Sequence, residues 1–226
     1  MPRATRQFSV GEVYHVLNRG NNRADLFHKD EDFAAFVRVL SEGLALYPVD
    51  LLSWCLMHNH WHLVLRPRRV AGISDLMRWV GVTHVRRHHE HYHTRGGGHL
   101  YQGRFKSFPV QDDSHFRTLC RYVEGNPKRA KMVKQAEAWG WSSLGYQPPK
   151  GIELPIAEWP VKRPVNWVEQ VNQAIDAKEL EQLQECVSRG RPFGSNKWIV
   201  TTAKRLKLTN TLNKPGRPKK RESVNQ

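Results

Sequence analysis

Two histidines, His60 and His62, stand in the run Met57-His58-Asn59-His60-Trp61-His62-Leu63-Val64-Leu65. In a strand, side chains alternate across the sheet, so both imidazoles project from one face while Trp61 and Leu63 project from the other. Two imidazoles so placed can grip one divalent cation, with Trp61 anchoring the strand in the core between them. The chain holds 12 histidines, and by spacing alone the pair fits chance clustering as well as metal binding. His84, His88, His89, His91 and His93 read as the solvated, polar end of a helix. His58 shares the parity of the pair but precedes the break at Asn59. A second pair, Tyr122 and Asn126, lies four residues apart, one above the other on a helix. There a phenol could attack and a carboxamide oxygen could add a third ligand; a core tyrosine with Asn126 as a helix cap before Pro127 fits the same spacing.

The elements that must carry these residues follow from hydrophobic periodicity. Residues 8–18, with Val10, Val13, Tyr14, Val16 and Leu17, read as a first strand closed by the turn chemistry of Arg19-Gly20-Asn21-Asn22-Arg23. Phe33, Phe36, Val37, Leu40 and Leu44 fall at helical spacing, with Asp30 as N-cap and Pro48 as stop. Residues 51–57 and 60–66 read as two more strands. Ser74 can cap a helix through Leu76, Trp79, Val80 and Val85, and Gly96-Gly97-Gly98 forms a loop. Residues 105–110 read as a fourth strand, followed from about Asp113 by a helix carrying Phe116, Leu119, Cys120 and Val123. The order strand–helix–strand–strand–helix–strand is the ferredoxin-like, or split βαβ, arrangement. The expected fold is α+β: an antiparallel sheet with helices on one face, plus a basic helical or disordered C-terminal extension. The domain is expected over residues 1–147, a Pro-bearing linker over 148–164, and the extension over 165–226, helical through Val168, Val171, Ile175, Leu180 and Leu183.

Composition narrows the partner. Over 226 residues the formal net charge is +15 and the pI near 10.1, a balance that favours a polyanion because neutralised phosphates release counterions. Residues 201–226 contribute eight Lys or Arg against one acid, Glu222. No apolar run is long enough to span a bilayer, and no basic amphipathic segment carries an aromatic face. Cys55, Cys120 and Cys186 form no CxxC pair, so reduced thiols in a cytoplasmic protein are expected. No apolar signal-peptide core follows the basic start. The sequence contains no GxxxxGK[ST] motif, so no nucleotide cofactor is expected, and it contains no nucleophile elbow.

Five ordered blocks give a resemblance. They are Tyr14-His15-Val16 leading to Arg19-Gly20-Asn21-Asn22-Arg23; Asn59-His60-Trp61-His62-Leu63; Leu100-Tyr101-Gln102-Gly103-Arg104-Phe105-Lys106; Arg121-Tyr122-Val123-Glu124-Gly125-Asn126-Pro127; and Trp139-Gly140-Trp141-Ser142-Ser143. From about Val13 to Tyr146 the chain resembles the single-tyrosine HUH transposases (IS200-like), in particular the REP-associated tyrosine transposases, REP denoting a repetitive extragenic palindrome. The resemblance implies a palm-like ferredoxin fold and an HUH motif, two histidines flanking a bulky hydrophobic residue, on His60, Trp61 and His62. It places the nucleophile on Tyr122 and the third metal ligand on Asn126. His58 departs from it, standing where related sequences commonly have proline.

The implied chemistry is metal-dependent cleavage and rejoining of single-stranded DNA hairpins at palindromes, through a 5′-phosphotyrosine, with Mg²⁺ or Mn²⁺ as the cation. Both a monomer and a homodimer are compatible with it. Arg19, Arg23, Arg104 and Lys106 flank the expected site and could contact phosphates, while Tyr101 and Phe105 could stack on unpaired bases or belong to the core. Pro215-Gly216-Arg217-Pro218-Lys219-Lys220 resembles an AT-hook, a short segment for A·T minor grooves, which adds Arg217, Lys219 and Lys220 as DNA contacts; a solvated tail competes with that reading. The competing function is a domesticated DNA-binding protein with a vestigial site, against which the intact His60, His62, Tyr122 and Asn126 speak.

Overall fold

The computed structural model describes residues 7–148 and 152–213. Four strands, β1 (Val13–Arg19), β2 (Val49–Met57), β3 (His60–Pro67) and β4 (Lys106–Val110), pair antiparallel in the spatial order β2-β3-β1-β4. The helix α1 (Asp30–Leu46) joins β1 to β2, and α2 (Gly72–His91) joins β3 to β4. With β1 and β3 central, this is the expected ferredoxin-like arrangement.

The sheet is apolar on both sides, which decides where everything else goes. Tyr14, Val16, Trp54, Trp61 and Leu63 pack beneath α1 and α2 with Phe33, Phe36, Leu76 and Val80. Val13, Leu52, Cys55, Val64 and Phe108 form a second core with Phe116, Leu119, Cys120 and Val123 of α3 (Ser114–Glu124). Helices therefore cover both faces: the expectation of one covered face holds for α1 and α2, while α3 buries its own apolar stripe against the other. Asp113 caps α3 by accepting from the His115 N–H at 2.8 Å.

The rest of the chain completes this second core. After Gly125 comes the single turn α4 (Asn126–Arg129), and later α5 (Trp167–Asn172), α6 (Ala177–Arg189) and α7 (Asn196–Arg205). Trp167, Val171, Leu183, Cys186 and Phe193 are buried beside α3. The helix expected through Val165 and Ser188 is two helices, because Asp176 caps α6 by accepting from the N–H groups of Lys178 and Glu179. Both sheet edges are closed by this region. Ala157 N–H donates to the Leu51 carbonyl at 2.8 Å along β2, and Phe193 exchanges backbone bonds with Pro109 and Gln111 along β4.

The starts of β1, α1 and α2 differ from the sequence expectation. β1 starts at Val13 because Gly11, at φ +79°, turns the chain; Phe8 packs its ring edge-on to Tyr14 instead. Asp30 is the first residue of α1, and Asp32 stabilises that end by accepting from the His28 and Lys29 N–H groups. α2 starts at Gly72, ahead of Ser74. Among the described residues no helix is long and apolar enough to cross a membrane.

One buried carboxyl joins the layers. Glu124, 1% exposed, accepts from Trp167 Nε1 at 2.6 Å, Ser143 Oγ at 2.6 Å and Ser53 Oγ at 3.1 Å. Burial pushes its pKa up, against the pull of those donors and of Arg163. Glu124→Ala strands the indole N–H and opens a cavity, so chemical denaturation should show a loss of about 2–4 kcal/mol. A raised folded pKa means that the folded state holds the proton more tightly than the unfolded chain. Wild-type stability should therefore fall as pH rises from the ordinary glutamate range through the folded value, and Glu124→Gln should lack that slope in denaturation at stepped pH.

Candidate active site

Pairing of β1 with β3 sets Leu17 opposite His62 and Arg19 opposite His60. Those residues, with His15, share the face that α3 covers. His62 is 2% exposed and is held at both nitrogens. Its Nδ1 lies 2.8 Å from His15 Nε2, and its Nε2 lies 2.8 Å from the Asn126 amide nitrogen. A neutral imidazole carries one N–H. With the amide donating to Nε2, His62 keeps its proton on Nδ1 and donates it to His15, whose own proton sits on Nδ1. That last N–H has no partner among the described residues.

His60 is oriented from the side. Its Nδ1 donates to Asn59 Oδ1 at 2.7 Å, which leaves Nε2 as the lone-pair nitrogen, and its ring lies 4.9 Å from that of His62. Burial, reinforced by neighbouring cations or histidines, lowers all three: His15 to about 3, His60 to about 4 and His62 well below its ordinary value. Neutral imidazoles facing one space, with an amide beside them, form a nitrogen-and-oxygen donor set. Among the described residues no three His, Cys, Asp or Glu side chains make a metal-binding group, and the polar side chain at His62 Nε2 is the Asn126 amide.

Tyr122 reaches the same space from α3. Its ring stands perpendicular to His62 with centroids 5.9 Å apart. The Arg129 guanidinium sits 4.4 Å above the Tyr122 ring and also donates to the Tyr122 carbonyl. Burial raises the phenol pKa, while Arg129 and then Arg19 oppose the rise. Tyr122 and Asn126 do not share one unbroken helix. α3 closes at Gly125, where an added Cβ would come within 2.7 Å of the Arg121 carbonyl oxygen. This close turn brings Asn126 to His62 and Arg129 back over Tyr122.

The helix itself is tied to α5. Arg121 Nε donates to the Gln170 carbonyl at 2.9 Å, and Lys128 Nζ to the Asn172 carbonyl at 2.6 Å. Two cations thus satisfy carbonyls at the end of a helix, where intrahelical donors run out.

The other expected contacts separate clearly. Arg19 is half-buried, and its Nε has no partner among the described residues. With exposed Arg104 and Lys106 it lines a cavity of about 360 Å³. Arg23 is exposed in a turn at φ +62°, its carbonyl held by the Asn59 amide. Tyr101 is no stacking platform. It is 8% exposed, and its hydroxyl bonds Trp61 Nε1 at 3.1 Å and His84 Nδ1 at 2.7 Å, because a bridge between Tyr101 and Gly20 turns the ring inward. His84, expected at a solvated helix end, is likewise buried on the inner side of α2. His58 bonds the Phe27 carbonyl on the α1 side, away from the cluster. Arg217, Lys219 and Lys220, with the AT-hook-like run, lie outside the described residues.

Sequence reading missed His15 and Arg129. His15 could have been found from β1, where it alternates with Tyr14 and Val16 and so must face the histidine pair once β1 adjoins β3. Arg129 carries no such signal, since its approach depends on the turn at Gly125.

A solved structure of a REP-associated tyrosine transposase bound to a REP hairpin is similar to this chain, with a TM-score of 0.53 and 17% identity over 68% of this chain and 89% of that one. That likeness supports the fold. A crystal structure of a candidate transposase from Deinococcus radiodurans R1 is more distant, at TM-score 0.38 and 19% identity over 54% of this chain and 96% of that one. No curated protein matches. The family model described as "Transposase IS200 like" matches residues 10–126. Those 117 of 226 residues run from just before β1 to Asn126 and contain His15, His60, His62 and Tyr122, so the chain belongs to the IS200-like transposase family.

Proposed function

We propose that this chain is a metal-dependent endonuclease and strand transferase of single-stranded DNA, acting at palindromic hairpins through a 5′-phosphotyrosine on Tyr122. The observation that carries the reading is the meeting, within one chain, of Tyr122 with His62 and Asn126 beneath the Arg129 guanidinium. Family membership and the net charge of +15 support a DNA substrate. The hairpin named for the similar solved structure supports that substrate class.

The donor set fits a divalent cation. The Nδ1 atoms of His60 and His62 are engaged by Asn59 and His15, so Nε2 is the ligand nitrogen of each, that of His62 now occupied by the Asn126 amide nitrogen. Rotation of the Asn126 amide would present its oxygen 2.8 Å from His62 Nε2, a separation suited to two ligands of one ion. Mixed nitrogen and oxygen ligation accommodates Mg²⁺ or Mn²⁺. A bound cation would polarise a non-bridging oxygen of the scissile phosphate and fix its orientation.

The chain's own groups do the rest. Arg19, opposite His60 and lining the adjoining cavity, would direct its guanidinium toward a phosphate there. Tyr122 Oη attacks phosphorus; the Oη–P bond forms as the P–O3′ bond breaks, the phenol loses its proton and the departing 3′-oxygen gains one. Arg129 favours the phenolate and would stabilise the negative charge that builds on the phosphoryl oxygens. A later 3′-hydroxyl reverses these events, so rejoining needs no nucleotide hydrolysis. His15, by accepting from His62 Nδ1, fixes which nitrogen of His62 can act as ligand.

Four outcomes test this. With a labelled single-stranded hairpin and Mg²⁺ or Mn²⁺, denaturing gels should show a covalent adduct that Tyr122→Phe abolishes. His60→Ala and His62→Ala should abolish cleavage while largely keeping DNA affinity; normal cleavage by either refutes the ligand assignment. His15→Leu should weaken Mn²⁺ binding about 10–100-fold in an electron paramagnetic resonance titration, and unchanged affinity would remove His15 from the site. Because the site is assembled within one chain, mixing Tyr122→Phe with His62→Ala should not restore cleavage; restoration would mean that subunits share sites.

A further inference from the structure

A second cavity, of about 730 Å³, lies on the opposite side of the sheet from Tyr122. Its walls are α2 and the segment leading into β4; exposed Val82 and half-buried Val85 and Phe105 supply the apolar surface, and the buried Trp61, Met77 and Tyr101 also line it. Val82 is 66% exposed. A single strand of nucleic acid carries flat, apolar base faces between charged phosphates, and this cavity shows the matching pattern. Arg78, Val82 and Arg86 fall four residues apart on α2, so one stripe reads cation, apolar, cation. Arg104 adds a third guanidinium at the rim, and neither Arg86 nor Arg104 has an acidic partner among the described residues. Ser74 and the Asn18 amide are polar groups able to meet a base edge.

The cavity shares a wall with a smaller one that reaches Arg19, beside the candidate active site. Asn18, Gly103 and Arg104 line both it and the smaller cavity of about 360 Å³ that reaches Arg19 and Lys106. Asn18 Nδ2 donates to the Gly103 carbonyl at 3.2 Å, which holds the shared wall in place. Arg19 lies opposite His60. A strand leaving the cleavage site can therefore pass around the end of β1 to α2 along a cationic path.

The geometry points to a binding site for an unpaired nucleobase in the cavity between α2 and the 101–105 segment, with Arg78, Arg86 and Arg104 meeting the flanking phosphates. This rests on the reading of the chain as a binder of single-stranded DNA and adds where a base outside the reacting phosphate is held. Stacking on apolar and aromatic surface tolerates any base, so the site contributes affinity and register more than sequence choice.

Gly81 provides a direct test. It lines the cavity on α2, and a Cβ added there meets no heavy atom within 4 Å. Gly81→Leu therefore starts a side chain from open space on the cavity wall and replaces a poor helix former with a good one. Two fluorescein-labelled probes, a 15-nucleotide oligo-dT and an abasic strand of the same length, are titrated by anisotropy at fixed salt. Wild type should prefer oligo-dT. Gly81→Leu, with unchanged or higher thermal stability, should lower that preference about fivefold or more, the scale of one stacked base, while its affinity for the abasic strand stays as in wild type. Arg86→Ala should weaken both probes alike. An unchanged preference in Gly81→Leu, or equal loss on both probes, would overturn the assignment. Wild type that binds neither probe would overturn the single-strand reading itself.

Discussion

The hydrogen-bonded line from His15 through His62 to Asn126 is the constraint on which the candidate site depends. It runs from the central strand β1, across β3, to the turn that follows the tyrosine helix. Each link fixes the next: the β1–β3 register sets His15 against His62, His15 sets the proton of His62, and the freed Nε2 meets Asn126. Burial keeps the imidazoles neutral, so their lone pairs are available and the cluster carries no charge of its own. The positive field comes instead from Arg19 and Arg129, which both act on Tyr122 and His62.

A line so short tolerates little movement of α3, and the molecule restrains that helix from several directions. Its apolar stripe is buried on the sheet, its terminal carboxyl Glu124 is held by Trp167, Ser53 and Ser143, and Arg121 and Lys128 are bonded to the end of α5. Much of this restraint lies beyond residue 126, where the family match ends. The later helices also close both edges of the sheet. The C-terminal part is thus continuous with the core that supports Tyr122.

Much of this was legible in the sequence. Alternation around Trp61 placed His60 and His62 on one face, and the order of apolar runs gave the ferredoxin-like sheet, because both signals are local. Tyr122 and Asn126 were found through four-residue spacing and through the resemblance, although a turn at Gly125 interrupts the helix between them. What stayed hidden depends on tertiary geometry. His15 becomes a partner of His62 only once two strands distant in sequence are adjacent. Tyr101 looked like a stacking ring because nothing local records that His84 and Trp61 would bury its hydroxyl. The second covered face of the sheet was missed for a similar reason: α3 has an apolar stripe, but its choice of face is set by β2, which is buried along its whole length.

Two cationic zones follow from the architecture, one at the tyrosine and one reaching around β1 toward α2. The central claim concerns the first of them. The most direct measurement is anomalous diffraction from crystals of the full chain grown with Mn²⁺. The account predicts a peak about 2.1 Å from His60 Nε2, His62 Nε2 and the Asn126 amide oxygen, with His15 bonded behind His62. A peak held by other residues, or none at saturating Mn²⁺, would contradict it.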